Sequence, residues 1–188
     1  MTKKEARKTF LQKRRDLSEA EYQQLNFQLY NQFFAQLDLS FLKCIHIFLP
    51  IEGKREPDTW QIIDRIRREF PHIRISIPKL VDHKLENFYF EGLHQLKKNK
   101  LGILEPEQGV PTPTEKIDLV IVPLLAFDKL GNRVGYGKGF YDQFLVQCRK
   151  GCKKIGLSFF EPIAKVEDVE EFDFKLTSCL IPSGFIQF

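Results

Sequence analysis

The chain has 188 residues, 43% of them apolar, with a formal charge of +4 and four cysteines. That length buries one substantial core, so a single domain over residues 1–188 is expected. The mild charge makes no case for nucleic acid, and no apolar run approaches the ~18–20 residues that span a membrane. Cys44, Cys148, Cys152 and Cys179, like His46, His72, His83 and His94, are dispersed without zinc spacing and read as structural or surface residues. The absence of a targeting segment points to a cytoplasmic protein, expected as a monomer.

Taken in chain order, Thr2-Lys3-Lys4-Glu5 and Ser18-Glu19-Ala20-Glu21 each read as a capping box, which predicts two successive helices. The first carries Lys3, Lys4, Arg7, Lys8, Lys13, Arg14 and Arg15 against Glu5 alone. Its few apolar residues (Ala6, Phe10, Leu11) leave the basic side exposed or turned towards a ligand. Phosphates, a polyglutamate tail or RNA are the partners that such charge attracts. In the second helix Tyr22, Leu25, Leu29 and Phe33 recur at helical spacing and pack one face on the body. After Ser40 the pattern becomes α/β. A strand over 43–49 is ended by Pro50, a helix covers roughly 58–69, a short strand over 73–77 stops at Pro78, and another covers 85–91. The continuous apolar run Leu119-Val120-Ile121-Val122 reads as a central, doubly covered strand. A helix over about 140–148, a strand over 154–159 and extended segments around Leu180 and Phe185 follow. This alternation predicts a three-layer α/β/α fold with a mostly parallel central sheet, Rossmann-like, with the N-terminal helices packed on the sheet. Ligands of such sheets bind beyond the carboxyl ends of the strands.

The segment beyond Val122 fits that position. Gly131-Asn132-Arg133-Val134-Gly135-Tyr136-Gly137-Lys138-Gly139-Phe140-Tyr141-Asp142 interleaves glycines with two cations, aromatics and a carboxylate. Alternating glycines let backbone amides turn inward and approach a ligand closely. Arg133 and Lys138 suit phosphate oxygens, and Asp142 supplies the hard oxygen that Mg²⁺ prefers. Together they read as a site for a nucleotide triphosphate and its metal, although glycine clusters also serve as plain flexible connectors. The spacing matches neither the dinucleotide fingerprint nor the Walker loop.

With its lead-in Val122-Pro123-Leu124-Leu125-Ala126-Phe127-Asp128, this segment resembles the signature of the 5-formyltetrahydrofolate cyclo-ligases, departing at Phe140, where that family usually has tyrosine. The resemblance implies ATP and Mg²⁺ as co-substrate and metal, and 5-formyltetrahydrofolate, with or without a polyglutamate tail, as substrate. The family opens with Lys-x-x-x-Arg, which falls here on Lys3 and Arg7, with Lys4 beside them; by residue chemistry alone these form a solvated charged helix. Nucleotide binding is thereby implied for Lys3, Lys4, Arg7 and residues 133–141 (Arg133, Val134, Gly135, Tyr136, Gly137, Lys138, Gly139, Phe140, Tyr141). Catalytic roles are implied for Arg133, Lys138 and Lys3. For the folate, the resemblance implies Glu56 as acceptor for pterin N–H groups, Leu49 or Ile51 as an apolar wall, and Arg7, Tyr136 and Phe140 as further contacts. Without it Glu56 is an ordinary loop acid. Asp142 and, nearer the C-terminus, Asp173 are the implied metal ligands, with Phe172 standing where relatives often have histidine. Leu101-Gly102-Ile103-Leu104-Glu105-Pro106 resembles a further family stretch. Asp142→Ala is expected to abolish metal-dependent turnover and leave the fold intact. Two other readings stay open: a different ATP-using pterin or small-molecule enzyme on this scaffold, and an RNA-binding module using the basic helix.

Overall fold

A computed structural model describes residues 1–51, 53–99 and 102–188 of the chain. Both capping boxes form: Thr2 and Ser18 cap helices α1 (Lys3–Asp16) and α2 (Glu19–Gln36), with Glu5 and Glu21 reaching back to the cap backbone. Strand β1 (Cys44–Ile47) and helix α3 (Trp60–Glu69) follow, then the long hairpin β2 (Arg74–Val81) and β3 (Lys84–Tyr89). A small two-stranded ribbon, β4 (Leu96–Lys98) and β5 (Leu104–Pro106), precedes the apolar strand β6 (Leu119–Pro123). A second ribbon, β7 (Ala126–Phe127) with β8 (Arg133–Val134), leads into helix α4 (Phe140–Gln147). Strands β9 (Lys153–Leu157), β10 (Ser178–Ile181) and β11 (Gly184–Gln187) complete the described elements.

Seven strands form one sheet in the order β11-β10-β9-β6-β1-β2-β3. Its five inner strands run parallel, and the edge strands β11 and β3 are antiparallel hairpin partners of their neighbours. Alternation along the strands divides the core into two layers. Ile45, Ile47, Leu119 and Ile121 join the cluster with Leu29 and Phe33 of α2 and Ile62, Ile63 and Ile66 of α3. Cys44, Val120 and Val122 face the other way, with Phe144 and Leu145 of α4. The result is the three-layer sandwich expected from the alternating pattern, with β6 buried along most of its length. Helix α2 covers the sheet, whereas α1 packs through Ala6 and Phe10 against Leu125, Ala126 and Val134 of the β7–β8 ribbon.

Pro78 does not stop β2, which continues to Val81. The β1–β2 register ends at His46 opposite Ser76, so no ladder lies on that side of Pro78. Towards β3, Pro78 faces Asn87, whose carbonyl accepts the Thr112 N–H instead of a bond from β2. The missing proline N–H therefore breaks no bond of either ladder. The two short ribbons were not expected: strands of two or three residues carry no readable periodicity.

Candidate active site

A cavity of about 450 Å³ opens beyond the carboxyl ends of β1 and β6, where Phe48, Leu49, Ile51 and Pro123 line it. The two connections after these strands supply most of its chemistry. After β6, the buried Asp128 builds the turn of the β7–β8 ribbon. Its carboxylate accepts from the backbone N–H groups of Leu130, Asn132 and Val166 and from the Asn132 amide. Burial pushes the Asp128 pKa up, but these hydrogen bonds outweigh it and hold the group below the usual aspartate value. The ribbon so fixed delivers Arg133, 9% exposed, whose Nη2 donates to Asp142 Oδ1 at 2.6 Å. Residues 135–142 then run along the cavity wall and into α4. Gly139, the helix N-cap, has φ +69°, and Gly137 has φ +86°. A Cβ on Gly137 would lie 3.0 Å from the Arg7 guanidinium carbon, so both conformation and close approach require glycine there.

Helix α1 closes the site from the opposite side. Lys3 Nζ lies 2.5 Å from Asp173 Oδ2, and Arg7 Nε donates to the Gly135 carbonyl at 3.0 Å. The start of the helix is tied to the segment around residues 165–173 through the Lys3 N–H on Asp168 and the N-terminal ammonium on Glu167. The Phe174 N–H donates to the same Asp142 oxygen that Arg133 holds, which brings the Asp173 turn beside Asp142. Each of the two carboxylates thus has a side-chain cation against it.

The connection after β1 presents Glu56, which is 3% exposed. Thr59 anchors the far end of that loop by donating its hydroxyl to the Phe48 carbonyl. The Glu56 carboxylate accepts from the Ile51 N–H at 2.6 Å and from the Tyr136 hydroxyl at 2.8 Å. Burial raises its pKa above the ordinary glutamate value, and those bonds with the nearby Arg14 charge pull the other way. The Glu56 loop, the Tyr136 loop and α1 thereby meet in one network.

Of the residues singled out from the sequence, all but two line this cavity. Lys4 is on the exposed side of α1, and the Val134 side chain is buried in the α1–ribbon core, so neither side chain reaches it. Lys138 sits exposed at the rim. Among the described residues no group of three His, Cys, Asp or Glu side chains comes together as a complete metal cage. Asp142 and Asp173 as a pair suit Mg²⁺ held by one or two carboxylates with phosphate oxygens completing its shell. The sequence reading missed the outer wall made by the β2–β3 hairpin and the β4–β5 ribbon, including Leu80, His83, Leu85, Asn99 and Glu105. The Leu-Glu-Pro stretch was its one visible signal; within that motif Leu101 lies outside the described residues. Arg14, buried beneath Tyr136, was also missed, hidden among seven basic residues.

Known proteins resemble this chain in sequence and in fold. Over 178 residues the chain is 29% identical to the 5-formyltetrahydrofolate cyclo-ligase of Escherichia coli (strain K12), covering 92% of this chain and 96% of that one. The solved structure of Aquifex aeolicus 5,10-methenyltetrahydrofolate synthetase superposes with a TM-score of 0.84 at 26% identity, covering 100% of this chain and 93% of that chain. The Mycoplasma pneumoniae 5,10-methenyltetrahydrofolate synthetase shares the fold, with a TM-score of 0.75 at 24% identity over 96% of this chain and 98% of that one. Residues 1–182 match the family model of the 5-formyltetrahydrofolate cyclo-ligase family, and the chain belongs to that family.

Proposed function

We propose that this chain, acting as one domain, closes 5-formyltetrahydrofolate to 5,10-methenyltetrahydrofolate at the expense of ATP, releasing ADP and phosphate. The observation that carries the reading is the meeting in one cavity of a cationic glycine loop and a buried, oriented carboxylate. The first suits polyphosphate; the second suits a flat heterocycle with N–H donors. A site built around such a carboxylate discriminates strongly, because a ligand lacking the donors leaves it buried and unpaired. The apolar wall from Leu49, Ile51 and Leu80 suits the rings.

The chemical difficulty is the formyl oxygen, a poor leaving group at neutral pH. Its attack on the γ-phosphorus forms the O–P bond, breaks the bond to ADP and leaves an iminium phosphate. N10 then attacks the formyl carbon, phosphate departs with the former formyl oxygen and takes up the N10 proton, and the five-membered ring closes. Phosphoryl transfer asks the protein mainly for alignment and charge stabilisation. Lys3, Arg7, Arg133 and Lys138 supply positive charge around the phosphates, with the amides of Gly135, Gly137 and Gly139 beside them at the start of α4. Tyr136, Phe140 and Tyr141 provide aromatic surface for the folate or the nucleotide. Asp142 and Asp173 would hold Mg²⁺, which when bound neutralises phosphate charge. The same two carboxylates pair with Arg133 and Lys3, so the cations that face the cavity stand beside the residues that would hold the metal.

The test is the appearance of 5,10-methenyltetrahydrofolate absorbance on mixing the protein with 5-formyltetrahydrofolate, ATP and Mg²⁺, each omitted in turn. A signal that needs all three is expected. No signal from folded, ATP-binding protein would retain the nucleotide site and discard the folate assignment.

A further inference from the structure

We propose that Arg14 is a positioning residue for folate selection, orienting the Tyr136 phenol and through it the Glu56 carboxylate towards the ligand. This rests on the folate reading above. Arg14 is 1% exposed, unusual for an arginine with no carboxylate in its own hydrogen-bond shell. Its Nη1 donates to the Tyr136 hydroxyl at 3.2 Å, and its Nη2 donates to the Leu124 carbonyl. A guanidinium has donors only. The phenol oxygen must therefore accept from Arg14, and its single proton is committed to Glu56 Oε1, 2.8 Å away. The Ile51 N–H holds the other carboxylate oxygen at 2.6 Å. The Arg14 Nη1, Tyr136 hydroxyl and Ile51 N–H donors all lead towards Glu56, which fixes that group as a pure acceptor and leaves its remaining lone pairs for N–H groups of a ligand.

A buried cation is costly unless something repays its desolvation. Here the compensation comes through a phenol from a carboxylate that lines the cavity, so the arrangement makes sense as part of the site. Placement on α1 supports this. Steps of four and eleven residues put Lys3, Arg7 and Arg14 within about 40° of one another around the helix. One helix face thus serves the glycine loop at its start and Glu56 near its end. Among the described residues, the charged and titratable groups facing Glu56 are Arg14 from α1, Tyr22 from α2, whose hydroxyl donates to the Glu56 backbone carbonyl, Lys54 from its own loop, and Tyr136 and Tyr141 from the segment entering and beginning α4. Arg14 and Lys54 are the cations among them, and Arg14 is the buried one.

The test compares wild type, Arg14→Gln, Tyr136→Phe and the double variant by calorimetric titration with 5-formyltetrahydrofolate and, separately, with ATP. Each single variant should weaken folate binding on the order of tenfold or more. In Arg14→Gln the ATP affinity should stay within about twofold, and the double variant should bind folate no more weakly than the worse single one. In Arg14→Gln the loss of folate binding on acidification should also begin at higher pH than in wild type, because Glu56 loses the charge that favours its ionised form. Equal losses for ATP and folate would reduce Arg14 to a prop for α1 and overturn the proposal. So would additive losses, an unmoved pH profile or unchanged binding. If Arg14→Gln does not fold, Tyr136→Phe alone decides, since it removes the relay and keeps the ring. Wild-type protein that binds ATP but no 5-formyltetrahydrofolate overturns the folate reading and the relay with it.

Discussion

Asp142 shows how one side chain carries both structure and proposed chemistry. Its Oδ1 accepts from Arg133, which is nearly buried, and from the Phe174 N–H, so removing the carboxylate strands a cation and a backbone donor together. The sequence motif suggested that Asp142→Ala would spare the fold; the pairing argues otherwise. Breaking a partly buried ion pair from one side should cost about 2–3 kcal/mol. Asp142→Asn keeps an acceptor oxygen in place and should recover much of that stability while still losing metal-dependent turnover by about a hundredfold or more. Thermal denaturation beside the absorbance assay separates the two effects; equal melting of the alanine variant and wild type would show that the Arg133 pair contributes nothing. Motif residues such as Asp142 and Glu56 were legible because their spacing is specific. Arg14 was not: it stands among Lys13, Arg15 and four other cations, and nothing local marks which of them the fold will bury.

Helix α1 is the element on which the site depends most. It brings Lys3 and Arg7 to the cavity and Arg14 beneath Tyr136, yet its own packing surface is small, centred on Ala6 and Phe10. Phe10 meets Phe160 edge-to-face at 5.4 Å, with Lys13 above its ring. Truncation by Phe10→Ala should cost about 3 kcal/mol and loosen the helix from the ribbon. ATP affinity should then fall although the substituted residue touches no ligand; urea denaturation and ATP titration measure the two losses. Unchanged ATP affinity in a destabilised variant would mean that α1 is held by its terminal contacts to Glu167, Asp168 and Asp173 instead. Capping boxes and apolar periodicity had made α1, α2 and the central strands readable, since those signals are local. The helix's docking partner was not readable, because β7 and β8 are two residues each, too short to carry a periodicity, and their turn is tied to the distant Val166 N–H through Asp128.

Across the whole molecule, acid stability is tied to the layer between β1 and α4. His46 is fully buried at the centre of the sheet, 4.7 Å from the Phe144 ring, with Nε2 3.2 Å from the Tyr141 hydroxyl. Burial drives its pKa down from 6.5 to about 3. The unfolded chain therefore binds a proton that the folded chain refuses, and stability present above pH 6.5 is lost as pH falls towards 3. One proton taken up on unfolding gives a slope of up to about 1.4 kcal/mol per pH unit, or about 2 kcal/mol between pH 7 and pH 5. Glu56 opposes this at lower pH, because its raised pKa makes the folded state the better proton acceptor there. Asp128 and Asp118, whose pKa values lie below 3.8, act only under more acid conditions. His46→Phe removes the titrating ring and its contact to Tyr141, so the variant should start less stable at pH 7 and lose much less than wild type on going to pH 5. Urea midpoints at the two pH values test this directly. Parallel losses in both proteins would place the acid sensitivity elsewhere. A flattened profile would show that the buried imidazole under Tyr141 sets how far the sheet, α4 and the glycine loop stay assembled as protons are added.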